Sequence, residues 1–130
     1  MPIIKYNKSL KKVTDIKKDF KTTDEPQYKV IRFSCREITI LSIKDIVIDL
    51  EKAIFGGEIK NIVLDLEDVH YFDSSFIGYL LNVQKKLKVN NKQLFITSLN
   101  SRIFNLAVGG EIEQLFIVFS SPQDAVQNCM

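Results

Sequence analysis

The sequence has few of the residues that build metal sites, disulfides or flexible linkers. It contains 2 cysteines, 1 histidine, 5 glycines and 3 prolines among 130 residues. Cys35 and Cys129 lie far apart without CxxC spacing, and one histidine cannot complete a zinc pattern with them. We therefore expect no metal and no cofactor, and two free thiols of the kind found in a reducing cytoplasm. The alternative is a Cys35–Cys129 disulfide.

Long apolar runs and a strong net charge are also missing. Charged residues interrupt every apolar run before the roughly 20 residues that a membrane-spanning helix needs, and the lysine-rich start has no signal-sequence character. The formal charge of +2 is too small to indicate a nucleic-acid surface. Hydrophobic residues make up 45% of the chain, as in ordinary globular domains. The sequence predicts a soluble, cytoplasmic domain without membrane insertion or a direct nucleic-acid partner.

The first 26 residues differ from the rest, because they carry seven lysines against four acidic residues. Apolar residues between positions 10 and 20 follow a helical spacing, and Ile3 with Ile4 favours an edge strand, while a partly ordered arm is the alternative. Residues 22–26 are polar and end in proline, which predicts a linker. We expect a basic arm or an extra helix or strand over 1–26 and the folded domain over 27–130. A solvated face explains the lysines, with an acidic partner or nucleic acid as alternatives.

From residue 28 onward, the sequence alternates between strand and helix patterns. The predicted strands are 28–33 and 38–40, which form a hairpin, a central strand 59–66, and the strands 94–97 and 115–119. The first two predicted helices run from a Ser42–Asp45 capping box to Gly56–Gly57 and from Asp73 to Asn90–Asn91. A short helix 101–108 is closed by Gly109–Gly110, and a last helix runs from Ser121–Pro122 to about Asn128. The order β-β-α-β-α-β-α-β-α predicts an α/β fold, a small mixed sheet with helices packed against it.

Three enzyme classes are disfavoured. His70 and Asp73 lie near serines, but the bulky residues around Ser74 do not form a Gly-x-Ser-x-Gly nucleophile elbow. The sequence has no phosphate-binding glycine loop. A phosphate-receiving signalling domain built on Asp65 and Thr97–Ser98 would lack the acidic pair that holds its divalent metal. We expect a protein that is not an enzyme.

Asp73-Ser74-Ser75 stands at the predicted start of a helix. A short polar side chain there caps the orphan amides and stabilises the helix by about 1 kcal/mol. An exposed serine at such a position is also suited to phosphorylation, because free N–H groups and the helix dipole favour an anion. Such a serine has no base of its own, so a partner kinase would perform the reaction.

Residues 61–78, which include Asp65, Asp73-Ser74-Ser75 and Gly78, resemble the STAS domains of bacterial anti-sigma-factor antagonists. The segment is similar to the family's apolar strand, turn and Asp-Ser-Ser/Thr-Gly-x-Gly signature, and 106–115 resembles the segment before its last strand. The resemblance extends from about residue 28 to 127. It implies the STAS fold, a small mixed sheet with helices against it.

The resemblance also implies a partner switch. Ser74, directly after Asp73 and followed by Ser75 and then Gly78, corresponds to the serine that an ATP-binding anti-sigma-factor kinase phosphorylates. The unphosphorylated protein would bind the kinase and free a sigma factor, and phosphorylation would release it. A phosphoserine phosphatase is a second candidate partner. The alternative is a constitutive scaffold or interaction subunit of a stressosome-like complex or a membrane transporter.

Four further residues are candidates for partner binding. Phe76 replaces the first glycine of the signature, and in the first helical turn it is expected to be exposed as an interface anchor. Tyr79 continues the stripe that Phe76 begins, with burial against sheet and helix as the alternative. Glu37 and Thr39 lie where the family has Gly-Glu-Leu-Asp before its first helix.

Overall fold

The computed structural model describes residues 13–16, 19–100 and 107–129 of the chain. Its strands are β1 (Val13–Ile16), β2 (Phe20–Asp24), β3 (Tyr28–Phe33), β4 (Glu37–Ile38), β5 (Asn61–Asp65), β6 (Tyr71–Phe72), β7 (Leu94–Thr97) and β8 (Ile117–Phe119). Its helices are α1 (Ile43–Phe55), α2 (Ser74–Val89), α3 (Ala107–Leu115) and α4 (Pro122–Cys129).

One mixed sheet of six strands organises the fold, in the order β1-β2-β3-β5-β7-β8. The strands β1, β2 and β3 are antiparallel neighbours, whereas β3, β5, β7 and β8 run parallel. Parallel neighbours need a crossover of a dozen or more residues, and α1, α2 and α3 lie in the crossovers of this sheet. The predicted α/β fold with a small mixed sheet is confirmed.

Side chains alternate along the central strand β5 between two faces of the sheet, and helices cover both faces. Ile62 and Leu64 belong to the larger core, which α1, α2 and α3 cover. Val63 points to the other face and belongs to a smaller cluster with Ala125 and Val126 of α4. The prediction of a central strand covered by helices in this segment is confirmed.

The predicted hairpin between β3 and residues 38–40 is wrong. β3 lies between β2 and β5, and the short strand β4 pairs in parallel with β6 in a separate sheet. In that pairing Ile38 and Phe72 are register partners and both are buried, whereas Glu37 and Tyr71 are both exposed. The alternation of residues 37 and 38 is compatible with pairing to β3 or to β6. Burial of Ile38 beside Phe72 in the larger core favours the observed pairing with β6.

The linker predicted at residues 22–26 is wrong for the residues that belong to β2. Thr22 and Thr23 are buried within that strand, and the turn into β3 is closed by a hydrogen bond from the Glu25 N–H to the Tyr28 carbonyl oxygen, 2.9 Å long. Polarity suggested a linker, but these threonines suit a strand because their β-branched side chains favour extended backbone.

The helix predicted from the spacing between residues 10 and 20 is also wrong where the structure describes this segment. Val13–Ile16 is the edge strand β1, paired with β2. Strands β1 and β2 therefore extend the sheet on the N-terminal side of residue 28. The strand predicted at Ile3 and Ile4 lies outside the described residues.

The boundaries of α1 agree with the prediction, but one capping interaction does not. The helix begins after Ser42 and ends at Gly56, where a Cβ atom would lie 2.4 Å from the Lys52 carbonyl oxygen. Glycine is therefore required at that end. The capping box predicted for Ser42 and Asp45 is not formed, because the Ser42 hydroxyl accepts from the Thr39 N–H at 3.0 Å instead.

The glycine pair near the C-terminus does not end a helix. Gly109–Gly110 was expected to close a helix over 101–108, yet both glycines lie inside α3, and residues 101–106 lie outside the described part of the chain. Ile112 is fully buried in the larger core, and this burial outweighs the roughly 1 kcal/mol by which each glycine disfavours a helix.

The last two elements agree with the prediction within two residues. β8 begins at Ile117 rather than at residue 115, and α4 begins at Pro122. The Ser121 hydroxyl accepts a hydrogen bond from the Asp124 N–H at 3.1 Å, so the predicted cap of this helix is present.

Candidate partner-binding site

Asp73 is the N-cap of α2 and connects the helix start to a second segment of the chain. Its Oδ1 accepts from the Ser75 N–H at 3.0 Å and from the Ser75 hydroxyl. Its Oδ2 accepts from the Ile40 N–H at 2.9 Å. The Ser75 hydroxyl is the main cause that lowers the pKa of Asp73, with the N–H groups of Ile40, Ser75 and Phe76 adding to it and burial opposing it. The carboxylate is thus held ionised at the helix start.

Two adjacent serines at this helix start have different environments. The Ser75 hydroxyl donates to the Asp73 carboxylate and the residue is half-buried. Ser74 is exposed at the first position of α2. A protein that modifies a hydroxyl at this helix start can therefore reach Ser74 more readily than Ser75. The sequence alone suggested this assignment only through the family resemblance.

The segment between β4 and α1 lies against this helix start. Besides the contact of Ile40, the Asp73 N–H donates to the Ile38 carbonyl oxygen at 3.2 Å. The predicted partner-binding residues Glu37 and Thr39 are on this segment, Glu37 exposed and Thr39 half-buried. The structure thus brings both close to Asp73.

Phe76 does not have the predicted exposure, since its side chain has a relative exposure of 0%. Its ring makes edge contacts with Phe33 and Phe72, with ring centroids 5.8 Å and 5.3 Å apart. The large side chain at the place of a glycine fills the core beneath the helix start. Phe76 supports the site from inside and has no accessible surface to act as an anchor.

Tyr79, on α2, is half-buried and packs against the larger core. Burial raises the pKa of its hydroxyl, and the nearby Glu51 carboxylate of α1 raises it further. Val83, one turn farther along the same helix, is buried. This environment agrees with the alternative in which Tyr79 is packed against the sheet and the neighbouring helix.

Gly78 lies one turn after Ser74 on the same face of α2 and is exposed. A Cβ atom at this position would meet nothing within 4 Å, so packing within the described structure does not require glycine. Glycine inside a helix costs about 1 kcal/mol relative to alanine. The absence of a side chain at position 78 therefore costs helix stability, and packing within the described structure gives no reason for it.

Three apolar or aromatic residues around the site were missed by the sequence reasoning. Ile40 and Leu41 are 59% and 88% exposed, and Tyr71 is 44% exposed beside Glu37 in the β4–β6 pair. The sequence predicts a strand that includes Ile40 and assigns no element to Leu41. The hydrogen bond between Asp73 and Ile40, which joins positions 33 apart, places Ile40 and its neighbour Leu41 at the helix start.

The structure also shows the contacts of Asp65 and Thr97, the residues considered for a phosphate-receiving arrangement. Asp65 has a relative exposure of 0%, and its Oδ2 lies 3.0 Å from a guanidinium nitrogen of Arg32, which also pairs with Glu67 and Asp68 at 3.0 Å each. Burial opposes the charged guanidinium, but the hydrogen bond with Glu67 and the charges of Asp65 and Asp68 outweigh burial and raise the pKa of Arg32. The Thr97 hydroxyl donates to the Leu64 carbonyl oxygen at 2.7 Å. Asp65 is thus a buried ion-pair partner.

His70 is exposed, and its backbone N–H donates to the Arg36 carbonyl oxygen at 2.8 Å. The nearby Asp73 carboxylate is engaged with Ser75 and Ile40, so these residues do not form a nucleophile–histidine–acid arrangement. Among the described residues, no group of three or more potential metal ligands comes together. None of the helices described here is both long and apolar enough to span a bilayer.

Comparisons with known proteins agree with the fold described above. The family model of the STAS domain matches residues 17–125. The chain is similar to a structure described as an anti-sigma-factor antagonist (STAS) domain protein from Planctomyces limnophilus, with a TM-score of 0.71, 25% identity, and coverage of 84% of this chain and 95% of that one.

Two other solved structures share the fold at lower identity. The anti-sigma-factor antagonist SpoIIAA in its unphosphorylated form has a TM-score of 0.64 and 16% identity, covering 84% of this chain and 94% of its own. A murine anion transporter of the solute carrier 26 family, in the inward-facing state, has a TM-score of 0.61 and 19% identity. That match covers 90% of this chain but 21% of the transporter.

Proposed function

The chain belongs to the STAS domain family, and on that premise we propose that it is an anti-sigma-factor antagonist that binds an ATP-dependent anti-sigma-factor kinase and is released by phosphorylation of Ser74. The relative from Planctomyces limnophilus and SpoIIAA are both described as antagonists of this type. The protein acts in this proposal as a binding module and a kinase substrate, without catalytic activity of its own.

The observation that carries the proposal is the contrast between the two serines at the start of α2. Ser74 is exposed, whereas Ser75 donates its hydroxyl to Asp73. In the reaction, the bond between Ser74 Oγ and the γ-phosphorus of ATP forms while the bond from that phosphorus to the β–γ bridging oxygen breaks. ADP leaves, and the hydroxyl proton passes to a base of the kinase. Because Gly78 has no side chain, nothing projects from the helix beside Ser74, and the kinase can approach closely.

Phosphorylation ends binding through charge. A phosphoserine adds about −1.5 to −2 charges at neutral pH. At Ser74 this charge lies next to the ionised Asp73, and covering both by a partner requires their desolvation. The complex therefore loses affinity without refolding of either protein. A phosphoserine phosphatase would hydrolyse the phosphate and restore the hydroxyl, returning the protein to its binding state.

The proposal is tested with the purified anti-sigma-factor kinase of the source organism. We expect ATP-dependent addition of one phosphate, located at Ser74 by peptide mass spectrometry, in the wild type and in Ser75→Ala, but not in Ser74→Ala. Wild type is expected to bind the ADP-bound kinase, and the phosphorylated protein to bind at least tenfold more weakly. Equal binding before and after phosphorylation contradicts the switch.

A second candidate function is favoured by the similarity to part of the anion transporter. In this alternative the chain is a constitutive interaction subunit, in a stressosome-like assembly or beside a transporter, and Asp73-Ser74-Ser75 only caps α2. Protein recovered from its native host under growth and stress would then carry no phosphate on Ser74 or Ser75. Intact-mass measurement of that material separates the two functions.

A further inference from the structure

Two apolar side chains near Ser74 are left in solvent by the fold. Ile40 and Leu41, between β4 and α1, are 59% and 88% exposed. Single exposed apolar residues are common on protein surfaces and need no explanation. This pair differs because the Ile40 N–H donates to the side chain of Asp73, the residue before Ser74. One hydrogen bond of 2.9 Å therefore connects the pair to the phosphorylation site.

We propose that Ile40 and Leu41 form an apolar docking element for the same kinase that phosphorylates Ser74, and that Asp73 couples this element to the phosphorylation state. The inference rests on the proposed function. A stable protein interface covers roughly 800 Å² on each partner. A kinase that receives Ser74 in its active site covers a patch of that size around it, and a residue hydrogen-bonded to Asp73 lies inside the patch. Exposed apolar side chains in this position become buried on binding and add affinity.

Asp73 is shared between the two parts of this surface. Its Oδ1 faces Ser75 at the helix start and its Oδ2 faces Ile40. A phosphate on Ser74 brings a second negative charge beside this carboxylate and offers oxygens to the same helix amides that Asp73 now caps. The phosphate repels the Asp73 carboxylate and competes with it for the Ser75 N–H. Both effects shift the carboxylate and so weaken its hydrogen bond with the Ile40 N–H. The docking element then loses its fixed position, in addition to the direct effect of charge on the interface.

The docking element is tested by binding and phosphorylation assays with the purified anti-sigma-factor kinase of the source organism. Leu41→Ser is expected to raise the Kd for the ADP-bound kinase by roughly tenfold or more, because it removes an apolar side chain that becomes buried. Val89→Ser is the matched control. Val89 is 82% exposed at the far end of α2, about 22 Å along the helix from Ser74, and its substitution is expected to change the Kd less than twofold.

The outcomes separate this inference from the function on which it rests. If wild type is phosphorylated at Ser74 but Leu41→Ser binds like wild type, the docking element is wrong and the switch stands. Equal losses in Leu41→Ser and Val89→Ser also overturn it, because the effect is then not local. If wild type neither binds the kinase nor accepts phosphate, the proposed function fails, and the docking element fails with it.

The coupling through Asp73 is tested on the protein alone. With phosphoserine incorporated at position 74 during synthesis, amide hydrogen exchange measured by NMR is expected to become several-fold faster at Ile40. The Gly56 amide, which donates to the Lys52 carbonyl oxygen at 2.9 Å, is the remote control and is expected to stay unchanged. Asp73→Ala is expected to speed exchange at Ile40 without phosphate. Unchanged exchange at Ile40 in the phosphorylated protein overturns the coupling.

Discussion

The Asp73 carboxylate accepts a hydrogen bond from the Ile40 backbone N–H, so a single side chain joins the start of α2 to the segment that precedes α1. These positions are 33 residues apart in sequence. The same carboxylate caps the helix through Ser75. Loss of the carboxylate therefore removes hydrogen bonds at both the start of α2 and the segment before α1.

Asp73→Ala is expected to destabilise the fold by about 1 kcal/mol at neutral pH, the usual effect of losing an N-cap. The pKa of Asp73 is lowered in the folded protein. The ionised carboxylate therefore adds to the free energy of unfolding at pH values above the usual pKa of 3.8, and this addition is lost as the pH falls through the lowered pKa. Urea denaturation at pH 7 and at several values below 3.8 should show the difference from wild type shrinking. Ser75→Ala should move the Asp73 pKa upward in a carbon NMR titration. An Asp73 pKa unaffected by Ser75→Ala would contradict the assigned cause.

Phe76→Ala is expected to destabilise the protein by about 3–5 kcal/mol, because it removes a buried aromatic ring and leaves a cavity between Phe33 and Phe72. Tyr71→Ala, at an exposed aromatic residue of the same region, is expected to cost less than about 1 kcal/mol. Denaturant titration of both variants measures the two costs. A small effect at Phe76 would mean that its ring is an exposed partner contact after all.

Gly78→Ala is expected to act in opposite directions on stability and on function. The fold should gain about 1 kcal/mol, since alanine is the better helix former and its Cβ atom meets no neighbour. If the chain has the proposed function, phosphorylation of Ser74 should slow, because the added methyl group would stand on the face that the kinase approaches. Thermal unfolding and the kcat/KM of the kinase measure the two effects. A stabilised variant phosphorylated at the wild-type rate would show that the kinase does not approach this part of the helix.

Arg32→Met is expected to destabilise the protein by about 3 kcal/mol, because it leaves the buried Asp65 carboxylate without its cation. Adding Asp65→Asn should recover part of this loss, since the amide keeps an acceptor for the Glu67 N–H. Arg36→Met, at an exposed arginine, is the control and should change stability by less than about 0.5 kcal/mol. Additive losses in the double variant would argue against the ion pair.

Cys35 is expected to react slowly with alkylating reagents in the folded protein. Burial, with the charge of Asp19 nearby, raises the pKa of its thiol to about 11 from the usual 9.0. Only the thiolate is the nucleophile, so the alkylation rate should keep rising between pH 9 and 11. A Cys129→Ser background isolates Cys35, and the same protein unfolded in urea provides the reference rate. Native and unfolded rates that are equal at pH 8 would rule out the protected thiol.

Elements with strong local signals could be predicted from the sequence. The apolar stripe of α1 and the glycines that follow it predicted that helix. The apolar run of β5 predicted the central strand. Asp73 was recognised as a cap because short polar residues before an apolar stripe have few other roles at a helix start. These features depend on neighbours within a few positions along the chain.

The features that could not be predicted depend on distant partners. β4 pairs with β6 because Ile38 fits beside Phe72 in the core, and no local pattern specifies that choice. Phe76 was expected outside because a first-turn residue has solvent on one side, but its ring fills space between two other phenylalanines. The contact between Asp73 and Ile40 is of the same kind, so the exposed apolar pair next to Ser74 emerged only from the structure.

The position of β3 between an antiparallel and a parallel neighbour has a consequence for the order of folding. β2 and β3 are separated by residues 25–27, so this pair closes a short loop and forms on the microsecond scale of β-hairpins. Pairing of β3 with β5 must wait until α1 and its connections bring residues 34–60 back across the sheet. We therefore expect the N-terminal strands to be an early template and the parallel half to set the overall folding rate.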